Sequence, residues 1–154
     1  MDNLTSVRRF FDRIRLMKKK IDIHKAGGIL IKDHKFLVER SKGKQFFIAP
    51  GGSIEKGENS KQALIRELME EFKIIVAEND LEEFGIFYAA AAGQEDKYLQ
   101  MDVFLVRKWE GEPTPDNEVE EFLWIDSNSS LDIKIGSIFE HKVLPRLKEK
   151  DLIG

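Results

Sequence analysis

Between Arg66 and Glu71 the chain reads RELMEE, in which four of six residues are charged and three are carboxylates. On a helix, Glu67, Glu70 and Glu71 stand at i, i+3 and i+4 and are neighbours in space. Like charges at that spacing destabilise an isolated helix by roughly a few tenths of a kcal/mol per pair, and by more where solvent is excluded. Arg66 can pair with Glu70 one turn on, but one guanidinium does not neutralise three acids. A hard divalent cation does, because magnesium and manganese prefer carboxylate, carbonyl and water oxygens. Upstream, Gly51, Gly52 and Gly57 form a loop whose carbonyls are uncrowded by side chains, so Gly51 or Gly52 can offer the ion one more oxygen. The loop is no Walker A cradle, since Glu58 and Asn59 follow Gly57 where a lysine and a hydroxyl residue would be needed. Acids gathered for a metal, without a phosphate-binding lysine, suggest water activated at a phosphorus centre. A solvated helix face with ordinary ion pairs would explain Arg66 but not three acids beside a glycine loop.

The neighbouring elements must hold this group in place. Lys61 to Phe72 has helix-forming composition, and Asn59 or Ser60 can cap its start. Leu64, Ile65, Leu68, Met69 and Phe72 cover one broad side, while Ala63, Glu67, Glu70 and Glu71 share another. KAGGILIKD and HKFLVER read as two strands joined by a polar turn at Lys32 to Lys35, and FFIAPGG as a third, stopped by Pro50 and two glycines. EFGIFYAAAAG and YLQMDVFLVRKW read as two more strands, and EFLWID as the last. SIFEHKVLPRLKEK closes the chain as a helix that Pro145 should kink by removing a backbone donor. One mixed α/β domain follows.

Composition bounds the remaining choices. The 154 residues suit one domain, and the absence of cysteine excludes thiolate nucleophiles, disulfides and cysteine-ligated metal sites while allowing a reducing, cytoplasmic setting. No apolar run reaches about 18 residues, so no membrane-spanning helix is expected, nor is there a signal-peptide core. Charge is uneven: residues 1–20 carry seven basic and two acidic side chains, or +5, which leaves −8 for the rest of a chain of net −3. Leu4, Val7, Phe11 and Ile14, with Phe10 and Met17 alongside, mark this segment as an amphipathic helix, separate from a domain at 21–154. It is expected to dock on its own domain or on a second copy in a homodimer, rather than on a membrane or RNA. His24, His34 and His141 are scattered, which gives a nucleophilic triad little support.

The stretch from Gly52 to Ile74 resembles the signature of the Nudix hydrolases, the MutT-like family: G-x5-E-x7-R-E-U-x-E-E-x-G-U, with U a bulky aliphatic residue. Gly52, Glu58, Arg66, Glu67, Leu68, Glu70, Glu71 and Ile74 fall in register, and Lys73 replaces the last glycine. The resemblance implies the family's α/β/α sandwich, with a mixed sheet and the box as a loop and helix. It implies Glu70 and Glu71 as Mg2+ ligands, with Mn2+ as a substitute, the Gly51 carbonyl in the inner shell, and Glu67 binding metal or orienting the attacking water. Glu58 and Arg66 are implied as a supporting pair, with Arg66 holding Glu67. A further acid is expected in the loop before the last strand, where Glu118 is favoured over Glu120 and Glu121. Arg40, ending the second strand, is a candidate contact for a substrate phosphate. Lys73 sits where a helix commonly exits through a left-handed residue, and a differently shaped exit is the expectation there.

The implied activity is cleavage of a phosphoanhydride in a nucleoside polyphosphate, with a (d)NTP yielding a nucleoside monophosphate and pyrophosphate. Alternatives are hydrolysis of another nucleoside diphosphate derivative, or a non-catalytic nucleotide-binding module. Residues 89–92 are alanines, without the proline of many ADP-ribose hydrolases or the tyrosine of many diadenosine polyphosphate hydrolases, and the coenzyme A pattern is also missing. KWEGEP is similar to the family's nucleoside triphosphate branch. No stable nucleic-acid binding is expected.

Overall fold

A computed structural model describes residues 3–17, 20–91 and 94–154. Helix α1 spans Asn3–Met17, and seven strands follow: β1 Ile23–Ile29, β2 Ile31–Lys32, β3 Lys35–Ser41, β4 Gly51–Ser53, β5 Leu81–Ala91, β6 Gln94–Val106 and β7 Val119–Ile125. Helix α2, Ser60–Phe72, lies between β4 and β5, and α3, Leu144–Glu149, closes the chain. The strands form two sheets, a mixed one in the order β4-β1-β6-β5 and an antiparallel one in the order β2-β3-β7. In the first, β1 runs parallel to β6 and antiparallel to β4.

Two apolar cores make this a three-layer sandwich. Leu64, Leu68 and Phe72 of α2 pack on Leu30, Leu37 and Phe104. On the opposite side, Phe139, Val143 and Leu147 pack on Ile29, Phe87, Met101 and Val103. Each fully buried Leu or Phe contributes ~1.5–3 kcal/mol, so the helices are held by their apolar faces more than by propensity. Asn59 caps α2 through a reciprocal bond pair with Gln62, which satisfies two backbone donors at the helix start. At the β2–β3 turn, Asp33 and His34 both take left-handed φ, 52° and 59°, as a tight hairpin requires.

Two expectations are corrected. FFIAPGG is not one strand: Phe47 and Ile48 make single bridges to Ile135 and Glu39, and regular pairing resumes only at Gly51. At Pro145, which lacks an N–H, the winding passes from a π-turn at Phe139–Val143 into α3, with the proline in the first turn of that helix. Helix α1 does not bury its apolar side over residues 4–11, where Leu4 is 77% and Phe11 62% exposed. Docking of this stretch on its own domain is therefore not what the fold shows.

Candidate active site

Arg66 organises the acids. Its guanidinium donates twice to Glu58, at 2.8 and 2.9 Å, and further to Glu67 at 3.0 Å, Glu70 at 3.3 Å and the Ser53 carbonyl at 3.1 Å. A planar fork with several donors in fixed directions suits this task, which a lysine could not repeat. These partners hold Arg66 firmly protonated, and the same pairing holds the Glu58 carboxyl below the usual carboxylate range. One residue thus ties the box loop to α2 and orients two of its acids.

The glycines supply space as well as carbonyls. A Cβ on Gly51, whose φ is +149°, would lie 2.0 Å from the Ala26 carbonyl oxygen, and one on Gly52 would lie 2.4 Å from Glu67 Oε1. Neither position admits a side chain while β4 pairs with β1 and Glu67 faces the loop. The Gly51 amide also donates to Glu71 at 3.3 Å.

Glu71 faces inward and meets an acid that sequence reasoning missed. Glu39, on β3, is 1% exposed and its carboxyl lies within hydrogen-bonding reach of the Glu71 carboxyl. Burial pushes both carboxyls up, Glu39 to about 7 and Glu71 further; Glu39 raises Glu71 again by repulsion, whereas the hydrogen bond with Glu71 lowers Glu39 and Glu67 raises it. A signal for Glu39 was present: Phe36, Leu37 and Val38 are consecutive apolar residues, as on a strand covered on both faces, and Glu39 is next in line. Among the described residues no three acids close on one point: Glu39 and Glu71 meet each other, while Glu67 and Glu70 lean on Arg66.

The loop before β7 is pinned to the same turn of α2. The Thr114 and Asp116 amides donate to the Phe72 and Glu71 carbonyls at 2.9 and 2.8 Å, and the Asn117 side chain reaches the Glu70 carbonyl at 3.4 Å. These bonds satisfy carbonyls that a helix C-terminus leaves open. They bring Glu118, which is exposed, to the turn that carries Glu70 and Glu71. Glu120 and Glu121 pair instead with Arg40, at 2.9 and 3.1 Å. Arg40 also lies over the Phe47 ring, 6.0 Å from its centroid, and among the described residues its hydrogen bonds go to Lys44, Glu120 and Glu121, outside the acid cluster. Lys73 exits α2 with φ 58° and ψ 29°, so the exit keeps the left-handed shape rather than changing it, and its amine pairs with Asp116 at 2.8 Å. His24 bonds Asp102 at 2.8 Å, a satisfied histidine as expected.

A cleft of about 200 Å³ is walled by Phe46, Ile48, Leu99, Met101, Ile138 and Phe139, with Lys25, Lys44 and Gln94 as polar points; none of the acids lines it. Backbone pairing links its walls to the acid region, Ile48 being bridged to Glu39 and Lys25 paired with Ser53 of the box loop.

A mixed sheet between helices, with an arginine-framed acidic helix entered from a glycine loop, defines a Nudix fold. The chain belongs to that family: the NUDIX domain model matches residues 23–147. It is 34% identical over 119 residues to an 8-oxo-dGTP diphosphatase of Haemophilus influenzae, covering 73% of this chain and 82% of the relative. In fold it is similar to a MutT Nudix hydrolase from Burkholderia pseudomallei, with a TM-score of 0.61 at 19% identity, covering 84% of this chain and 95% of that one. It is also similar to a bifunctional NMN adenylyltransferase/ADP ribose pyrophosphatase from Francisella tularensis, complexed with AMP and a Mn ion. There the TM-score is 0.63 at 20% identity, covering 96% of this chain and 47% of the other.

Proposed function

We propose that the chain is a MutT-like nucleoside triphosphate pyrophosphohydrolase that works with Mg2+ in the cytoplasm, with oxidised purine nucleotides as the first substrates to try. The observation that carries this reading is the Arg66-framed set of box acids. The relatives' shared name supports the choice of triphosphates. The donors fit a hard cation: Glu67, Glu70, Glu71 and the Gly51 carbonyl are all oxygen ligands, and the buried, mutually repelling carboxyls gain from positive charge. When bound, such an ion neutralises phosphate oxygens and acidifies water.

The chain's own groups have distinct tasks. Arg66 and Glu58 hold Glu67 at the loop, where it takes a proton from the attacking water, with Glu118 as the second base candidate. The cleft takes the base against Phe46 and Phe139, since flat aromatic walls suit a planar ring. Arg40, balanced by Glu120 and Glu121, is assigned to holding β3 and β7 together instead of a phosphate. Water adds to the β-phosphorus, the bond to the bridging oxygen breaks, and the monophosphate leaves. No histidine stands beside a hydroxyl and no cysteine exists, so water is the evident nucleophile.

Turnover of dGTP and its 8-oxo form in oxygen-18 water with Mg2+ tests this. Label should enter pyrophosphate, excess EDTA should stop the reaction, and Glu71→Gln should lower turnover by about two orders of magnitude or more. Label in the monophosphate would move the attack to the α-phosphorus. A trapped phosphoenzyme, or full activity in EDTA, would refute the reading.

A further inference from the structure

Glu39 lies outside the box, and the fold gives it no structural task. Its backbone is bonded to Ile48 on one side and paired with Phe122 of β7 on the other, which fixes where its side chain points. Its carboxyl faces that of Glu71. Oε2 is buried and has no hydrogen-bond partner among the described residues. Its neighbours Leu37 and Val38 are fully buried, so an apolar side chain would suit the position better on packing grounds alone. A buried carboxylate without a donor or cation is among the least favourable groups an interior can hold. A proton shared with Glu71 would bridge one oxygen of each carboxyl and supply the pair with no further donor.

We propose that Glu39 is a further ligand of the divalent cation, a carboxylate supplied by β3 whose unpartnered Oε2 joins Glu71 in the oxygen shell. The metal set then draws on a strand as well as on the box helix, and an acid at this position becomes a determinant of how tightly the ion is held. The inference rests on the metal-dependent reading above.

The test is Mn2+ binding by the full chain without nucleotide, after removal of metal with a chelator, with free Mn2+ read by electron paramagnetic resonance. Glu39→Gln should weaken binding at least about tenfold or remove one bound ion per chain. Its melting temperature in chelator should equal or exceed that of the unmodified chain, because the amide abolishes the repulsion with Glu71, and added Mn2+ should raise it less. Glu39→Leu, matched to the apolar surroundings, provides the same comparison if the amide disturbs the strand. Should both variants keep the original affinity and stoichiometry while Glu71→Gln weakens binding, the role of Glu39 is overturned and the metal-dependent function stands. Should the unmodified chain bind no Mn2+, both fall.

Discussion

Helices α1 and α2 have the same amphipathic signature in sequence and opposite fates in the fold. Helix α2 buries Ala63, Leu64, Leu68 and Phe72 completely, and its polar side is partly enclosed as well, with Glu71 turned onto Glu39. Helix α1 leaves Leu4, Val7, Phe10 and Phe11 exposed, with Arg8 and Arg9 exposed among them. Periodicity therefore states which face of a helix would gain from burial, while the presence of a partner surface is a property of the rest of the chain. For α2 the partner is the pair of sheets, whose Leu30, Leu37 and Phe104 complete its core.

The widest gap between the helices should appear in core truncation. Leu68→Ala removes a fully buried side chain and should cost about 2–5 kcal/mol, whereas Phe11→Ala should change stability by less than about 0.5 kcal/mol. Chemical denaturation of both variants checks this. An equal loss at Phe11 would mean that α1 is buried in solution, by the domain or by a second copy, and the dependence of the midpoint on protein concentration would separate the two.

A smaller effect should distinguish the polar faces. In chelator, Glu39 is raised from its ordinary 4.5 to about 7 and Glu71 is raised beyond that, so above pH 4.5 the unfolded chain ionises while the folded one keeps its protons. Stability is then intact below about pH 4.5 and falls as pH rises towards 7. Glu58, Asp116 and Asp126 are lowered, so their contribution is lost only on acidification below that window. Melting temperatures in EDTA should fall between pH 5 and 7, and saturating Mg2+ should flatten the trend. A flat profile in EDTA would mean that the α2 acids are solvated, as Arg8 and Arg9 of α1 are.

The parts legible in the sequence share one feature, which is that their cause is local. The Asn59 cap, the turn at Asp33 and His34, and the Arg66–Glu70 pair each depend on residues a few positions apart. The Glu58–Arg66 pair, eight residues apart, was legible only because the family pattern fixes it. What was missed depends on distant chain. Glu39 meets Glu71 because α2 brings that residue against β3, Arg40 is neutralised because β7 delivers Glu120 and Glu121, and Phe47 leaves strand geometry to bridge Ile135. The cleft is likewise assembled from segments separated by tens of residues, which no spacing rule joins.

The smallest expected effect lies at the end of α2, where Lys73 holds a left-handed conformation that costs a residue with a Cβ about 1 kcal/mol. Its amide still bonds the Met69 carbonyl, so the exit is formed despite the strain. Lys73→Gly removes the strain but also the ion pair to Asp116, and it adds freedom to the unfolded chain, so the net should be neutral or stabilising by up to about 1 kcal/mol. Lys73→Ala keeps the strain and loses the pair, and should melt below both. Turnover should barely change in either variant, because the acids upstream are positioned by Arg66 and the capped start of the helix. A large gain in turnover for Lys73→Gly would instead show that the natural lysine restrains the site. An order of melts with alanine above glycine would show that the ion pair and the left-handed strain are both irrelevant to how this helix ends.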